Sequence, residues 1–214
     1  MKLFKSIFIG LVLRILLFFP PIIETWLFRK FMKLPFIFLA GKINFDEIID
    51  NQENYLLPLQ KGIENYKIIS ESSPKKILDL GTGTGAAAFY LAEVFPEADI
   101  TGLDAAEEML NTARNKKSEF ELDNVSFTHG DIYNLPFSQK SFDLITVSNA
   151  PISFQEIKKV LTNDGFLLLS LSLTGQYLKK KETKLEKKLK RYDLQLKKIE
   201  GFADKGVYIL ISTT

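Results

Sequence analysis

From residue 76 onward, short apolar runs alternate with stretches whose apolar positions recur every three to four residues. The short runs predict strands at Lys76–Leu80, Asp99–Leu103, Val125–Thr128, Asp143–Ser148 and Phe166–Leu173. The periodic stretches predict helices at Gly85–Phe95, Ala105–Lys117 and Ser153–Leu161. Strands alternating with amphipathic helices imply an α/β fold, with a parallel sheet covered on both faces. Pro96 and Asn163-Asp164-Gly165 mark turns between these elements. The end of the chain breaks the alternation. A basic helix, Gln176–Arg191, precedes two strands, Asp193–Phe202 and Gly206–Ser212. Ala203-Asp204-Lys205 joins them, which predicts an antiparallel hairpin.

Upstream the pattern differs. Asp46–Ser70 has helical spacing of Ile48, Ile49, Tyr55, Leu56, Leu59 and Ile63, with Pro58 dividing it in two. Ser6–Ile23 is an apolar run whose one charge is Arg14. As a helix it would reach about 27 Å, against a bilayer core of about 30 Å. Arg14 near its centre costs roughly 2.5–3.5 kcal/mol on insertion scales. Pro20-Pro21 ends or kinks it, and a second apolar stretch, Trp26–Ala40, carries Arg29, Lys30 and Lys33. A cleaved signal peptide fits poorly, because Arg14 interrupts the core and no small-residue cleavage site follows promptly. A single span, an in-plane helix or shallow hairpin, and a soluble core helix all remain. The in-plane reading is preferred, because it keeps both basic flanks on the cytoplasmic side and lets Arg14 snorkel. The chain thus divides into a membrane-associating segment (1–45), a helical cap (46–71) and an α/β domain (72–214).

Composition narrows the chemistry. The 214 residues suit one domain with an appendage. There is no cysteine, which excludes disulfides, thiolate metal sites and a Cys nucleophile. His129 is the one histidine, so mechanisms needing two imidazoles are excluded, and no metal site is expected. The net charge of +2 hides an asymmetry. Residues 1–45 carry 7 basic and 1 acidic side chains, residues 46–175 carry 10 and 20, and residues 176–214 carry 11 and 5. Basic ends around an acidic middle suit an anionic membrane surface or nucleic acid, or are solvated helix faces.

The informative stretch is Ile77-Leu78-Asp79-Leu80-Gly81-Thr82-Gly83-Thr84-Gly85. A strand runs into a loop with glycine at every second position, and a helix follows. Glycine permits positive φ and close ligand approach, and the helix N-terminus supplies free N–H groups. The spacing is GxGxG rather than GxGxxG, and no GK[ST] follows, so a P-loop is excluded. Asp79, two positions before the loop, is placed to hold a ligand ammonium. Asp104 ends the second predicted strand, where a carboxylate accepts from both ribose hydroxyls. After the third strand, Asp131 is placed to accept from an adenine amino group, while Ile132 packs on the ring. The fourth strand ends at Asn149-Ala150-Pro151. All four motifs fall at strand C-terminal ends, where open α/β sheets bind ligands.

At these residues the chain resembles the class I S-adenosylmethionine-dependent methyltransferases, most nearly the ubiquinone/menaquinone-biosynthesis type, or methyltransferase type 11. LDLGTGTG, GLDAAEEML, GDIYNLPF with SFDLI, and LTNDGFLLLS match successive family motifs across residues 72–172. The resemblance implies a Rossmann-like seven-stranded sheet of order 3-2-1-4-5-7-6, with the last strand antiparallel, and S-adenosyl-L-methionine as cofactor. It further implies that Asp79 and the loop at Gly81, Thr82, Gly83 and Gly85 hold the methionine moiety. Asp104 would bind ribose, with Ala105 and Met109 beside the adenine. Asp131 and Ile132 would bind adenine, and Asn149 would face the sulfonium. Gly85 and Met109 also suit plain packing, and Asp143, at the start of a strand, reads as structural. His129 reads as a strand-edge side chain, with a weaker reading as a base; Asn149 is the other weak catalytic candidate. Tyr55 and Tyr66 are candidates to roof the cofactor.

Two departures matter. Asn149-Ala150-Pro151 lacks the aromatic of the (D/N)PPY motif in amino-methylating nucleic-acid enzymes, which disfavours that class. The segment from there to the next helix is short, so little lid is built in. The expectation is a membrane-associated methyltransferase, with its catalytic domain on the cytoplasmic side and a lipophilic acceptor such as a quinone precursor, isoprenoid or lipid. An anchored enzyme with a soluble small-molecule or protein acceptor, and a cofactor-binding scaffold without catalysis, are the alternatives.

Overall fold

The computed structural model describes residues 55–172, 182–202 and 206–213. Seven strands form one sheet in the order β3-β2-β1-β4-β5-β7-β6. The strands are β1 (Lys76–Leu80), β2 (Asp99–Asp104), β3 (Val125–His129), β4 (Phe142–Ser148), β5 (Leu161–Leu171), β6 (Leu194–Phe202) and β7 (Gly206–Thr213). The helices are α1 (Leu57–Ile69), α2 (Ala86–Val94), α3 (Glu107–Phe120), α4 (Phe154–Val160) and α5 (Glu182–Leu189). β7 runs antiparallel to both neighbours, and the first five strands are parallel. This is the order that the family resemblance implies.

Alternate residues of each strand serve opposite faces, which is why the strands read as continuous apolar runs. Ile77, Ile100, Val125, Leu144, Leu168 and Leu210 pack under α1 and α2. Leu78, Leu80, Ile145, Val147, Leu169 and Ile209 pack under α4 and α5, with Phe154, Ile157, Leu185 and Leu189. The β1/β4 pair is the switch point, since the chain winds outward from it to either edge.

Several boundaries move. Pro58 stands in the first turn of α1, where its missing N–H costs nothing. The part of the Asp46–Ser70 helix before Tyr55, the whole 1–45 segment and Gln176–Lys181 of the basic helix lie outside the described residues. Among the described residues, no helix is long and apolar enough to cross a membrane. The expected turn at Asn163–Gly165 falls inside β5, which already begins at Leu161. The ladder jumps from Phe142↔Leu161 to Leu144↔Phe166, so residues 162–165 bulge out of register. The turn residues are real, but a strand passes through them, because Leu161 is buried and pairs before the bulge.

Asp143 is structural. Its Oδ2 accepts from the backbone N–H groups of Lys75 (2.9 Å) and Lys76 (3.1 Å), pinning the start of β1 beside β4. Asp143→Ala should lower stability by about 1 kcal/mol, the net worth of such bonds when the freed N–H groups lie at exposed residues. Calorimetric affinity for S-adenosylmethionine should stay within about twofold of the parent, and a larger loss would give Asp143 a part in the site.

Candidate active site

The loop after β1 owes its shape to three glycines with positive φ, Gly81 (70°), Gly83 (56°) and Gly85 (90°). The N–H groups of Gly81 and Thr82 both donate to the Leu103 carbonyl, at 2.8 and 3.1 Å, which ties the loop to the end of β2. A β-carbon on Gly81 would overlap the Ala150 methyl, whereas one on Gly83 would meet nothing within 4 Å among the described residues. Gly81 is therefore pressed against the chain leaving β4, and Gly83 faces open space where a ligand would lie. Gly85 differs from both. A β-carbon there would fall 2.8 Å from the Phe89 ring and 3.1 Å from the Phe127 ring, so its α-carbon is used in packing α2 over β3.

Asp79 lies next to Gly102 of β2 and Thr146 of β4 in register. It is 1% exposed. Thr146 donates its hydroxyl to Asp79 Oδ1 at 2.8 Å, while Oδ2 has no hydrogen-bond partner among the described residues. Burial raises its pKa from 3.8 to about 6. The nearby Thr82 and Thr146 hydroxyls offset part of that rise, and the Asp104 charge adds to it. Thr82 Oγ1 lies close by without hydrogen-bond geometry, and Thr84 Oγ1 is likewise buried and unpaired among the described residues. A β-carbon at Gly102 would come within 2.7 Å of Thr82 Oγ1, so the second strand needs glycine at that point to admit the threonine.

Asp104 ends β2 with both oxygens engaged. Oδ2 accepts from Gly83 N–H and Oδ1 from Ala106 N–H, each at 2.9 Å. Burial raises its pKa; these backbone donors, Ala105 and the His129 charge oppose the rise. Each carboxylate oxygen keeps a further lone pair for a ribose hydroxyl. Asp104 thus shapes the loop before any ligand arrives, a role the strand-end argument did not foresee. Met109 and Ala106 are buried on the inner side of α3, and Ala105 is half-buried. Asp131 makes a bridge with Asn134 and accepts from Tyr133 N–H at 3.0 Å. Ile132 reaches toward Gly81, its δ-carbon 3.8 Å from the space of a Gly81 β-carbon. Thr82, Gly83, Asp104 and Ile132 therefore converge at one mouth of the sheet.

Asn149 follows β4 with a φ of 53°, which asparagine tolerates better than most residues. Its N–H donates to the Ser170 carbonyl at 3.0 Å, and its Oδ1 accepts from Ser172 N–H at 2.9 Å. Burial raises the pKa of the Tyr55 phenol above its ordinary 10.0; the Asn149 side chain nearby offsets part of the rise, and the Asp79 charge adds to it. Tyr55 thus stands over the methionine end of the site. Tyr66 does not. It packs edge-on against Phe95 and Phe166 and lines an open groove of about 390 Å³ near the starts of the strands, at the opposite end of the sheet from the site. His129 pairs in register with Asp104, and its Nε2 lies 3.2 Å from the Ala105 carbonyl. Three strand spacings separate β3 from β4, about 14 Å, so His129 is placed away from Asn149 in the sheet. Thr146 escaped the sequence reading. Its signal was a lone hydroxyl in the apolar run Leu144–Val147.

Residues 71–211 match the methyltransferase-domain family. The chain belongs to that family. A demethylmenaquinone methyltransferase of Thermotoga maritima is 41% identical over 95 residues, which are 44% of this chain and 39% of that protein. One of Thermus thermophilus is 41% identical over 91 residues, 42% of this chain and 41% of that protein. The chain thus spans about two fifths of the length of the curated relatives it matches. Among solved structures, a methyltransferase of Aquifex aeolicus superposes with a TM-score of 0.63 at 18% identity, covering 80% of this chain and 100% of that one, which concerns the fold.

The cofactor of this methyltransferase domain is S-adenosylmethionine, and its residues fit that group. The cofactor carries an ammonium and a sulfonium, and the site offers two carboxylates, one with a buried unpaired oxygen. The open face of Gly83 leaves room for it, and Thr82 and Thr84 hold unpaired buried hydroxyls. Among the described residues, no group of three or more His, Cys, Asp or Glu is placed to hold a metal ion.

Proposed function

We propose that this chain is the catalytic domain of a methyltransferase that acts on a lipophilic, quinone-type acceptor at the cytoplasmic face of a membrane. The observation that carries this reading is the convergence of Asp79, Gly83, Asp104 and Asn149 at the β1/β4 switch point, in a chain similar to demethylmenaquinone methyltransferases. Asp79 would hold the cofactor ammonium, Asp104 the ribose hydroxyls, and Asp131 with Ile132 the adenine. Bound there, the cofactor supplies an electrophilic methyl group. The protein's part is alignment and electrostatics rather than a strong base.

Two further observations support the lipophilic acceptor. The chain leaving β4 passes through Asn149–Ser153 straight into α4, which gives the acceptor side little cover from the described residues. The segment 1–45 is apolar with basic flanks and suits a membrane interface. Docking at an anionic surface would bring substrate and cover together.

The test uses the full chain, methyl-labelled S-adenosylmethionine and a membrane extract, followed by partition between organic solvent and water. Label is expected in the organic phase. Label confined to the aqueous or precipitated fraction would replace the lipophilic acceptor with a soluble or protein one. Cofactor binding without transfer to any fraction would leave a non-catalytic scaffold.

A further inference from the structure

α4 and α5 lie side by side over the same face of the sheet. The Phe154 and Tyr192 rings are 5.8 Å apart, and Lys158 Nζ donates to the Asp193 carbonyl at 3.0 Å. Lys188 Nζ sits 5.3 Å from the centre of the Phe154 ring, so the flank of α5 that carries it faces α4. At about 3.6 residues per turn, Lys184 and Lys187 share that flank with it. Leu185 and Leu189 point into the core, and Glu182 and Glu186 fall on the far flank. Helix α5 therefore sorts its charges by side.

The cations collect into one surface. Lys158 and Lys159 come from α4, Lys184, Lys187 and Lys188 from α5, and Arg191 from the 3-10 turn Lys190–Tyr192 that follows. Lys159 pairs with Glu156 at 3.4 Å. Lys184, Lys187 and Arg191 are exposed and form no ion pair among the described residues. The other layer has the opposite sign. Residues 86–123, which hold α2 and α3, carry 3 basic and 9 acidic side chains, whereas residues 154–160 and 182–192 together carry 7 and 3. The small net charge thus conceals two faces of opposite sign.

We propose that the α4–α5 face docks on an anionic phospholipid surface. This rests on the membrane reading given above and places a contact on the folded domain as well as on segment 1–45. The cations are spread along two helices, which suits an extended anionic surface. No exposed aromatic side chain accompanies them among the described residues, whereas proteins that hold single strands stack bases on aromatics. The same chain carries the apolar runs Ser6–Ile23 and Trp26–Ala40, which suit a bilayer and not a nucleic acid. The face begins where the chain leaves β4 through Asn149–Ser153, so a bilayer laid along it borders the open acceptor side. Each cation held near such a surface adds about fivefold to the partition.

The test sediments the full chain with vesicles of phosphatidylcholine alone, or of phosphatidylcholine and phosphatidylglycerol in equal parts. Lys184→Gln, Lys187→Gln and Arg191→Gln combined should lower partition onto the anionic vesicles about a hundredfold. The melting temperature should hold, because all three side chains are exposed. Arg114→Gln, Lys116→Gln and Lys117→Gln combined remove the same charge from α3, which leans on α2 through Phe120 and Phe89 at the opposite face. They should change partition less than about threefold, since the attraction fades within a Debye length. Equal losses in the two triple variants would overturn the proposal, because net charge and not this face would then set binding. An unchanged partition in the α5 variant would overturn it too. So would retention of the parent on single-stranded RNA, lost in the α5 variant, without preference for anionic vesicles; the face would then belong to a nucleic acid. A parent that binds neutral and anionic vesicles alike would leave the apolar segment as the membrane contact and remove this face from it. A parent that binds neither would remove the membrane reading and this face together.

Discussion

Asp79→Asn is expected to stabilise the cofactor-free protein at pH 7 and to cripple cofactor binding. The buried carboxylate has its pKa raised from 3.8 to about 6. The folded protein therefore binds protons more tightly than the unfolded chain between those values, so stability falls as pH rises through the window. Above about 6 the full penalty is present, about 3 kcal/mol at 1.36 kcal/mol per pK unit. Asparagine removes the charge and keeps an oxygen for the Thr146 hydroxyl. Its amide gains a ready acceptor in the unpaired Thr82 Oγ1. The melting temperature should rise by roughly 5–10 °C at pH 7 and hardly at all near pH 4.

Cofactor affinity should move the other way. Loss of a charge-assisted partner for the ammonium should weaken binding by about a hundredfold. In the parent protein, affinity should also decline as pH falls below about 6, because Asp79 must give up its proton to receive the ammonium. Calorimetry from pH 5 to 8 reads both effects. Equal affinities for parent and variant would remove Asp79 from the site. Equal melting temperatures at pH 7 would show that the carboxylate is not destabilising the empty fold.

Gly81→Ala is expected to be the most damaging change in the loop. The left-handed backbone at Gly81 costs any L-residue about 1–2 kcal/mol. The added methyl must also displace Ala150, at an overpacking cost of about 1–3 kcal/mol. The loop has little room to yield, because the N–H groups of Gly81 and Thr82 are both fixed on Leu103. Stability should drop by roughly 2–5 kcal/mol, and cofactor affinity by more than about tenfold. Adding Ala150→Gly should recover the overpacking share and leave the backbone share. A double variant no more stable than the single one would show that Ala150 is not the obstacle.

Both expectations turn on contacts that a one-dimensional pattern cannot display. The strand and helix order was legible because its signals are local: aliphatic runs of five or six residues, helical spacing and turn residues between them. The glycine loop was legible because backbone freedom is a property of the residue itself. The partners of its polar atoms were not. Asp79 and Thr146 meet at 2.8 Å across 67 residues of chain, and only pairing of β1 with β4 brings them together. The same holds for Asp104, which reaches back to Gly83, and for Tyr66, which α1 carries to the opposite end of the strands.

By itself, the sequence determined the parallel α/β core, the glycine-rich turn, the carboxylates at the ends of β1 and β2, and the antiparallel closing hairpin. Each follows from the preferences of a residue and its near neighbours. The tertiary structure decided which of those groups share a site, which carboxylate oxygen stays unpaired, and which aromatic stands at the methionine end. Those outcomes depend on strand register and on burial, and neither exists until distant segments are packed side by side.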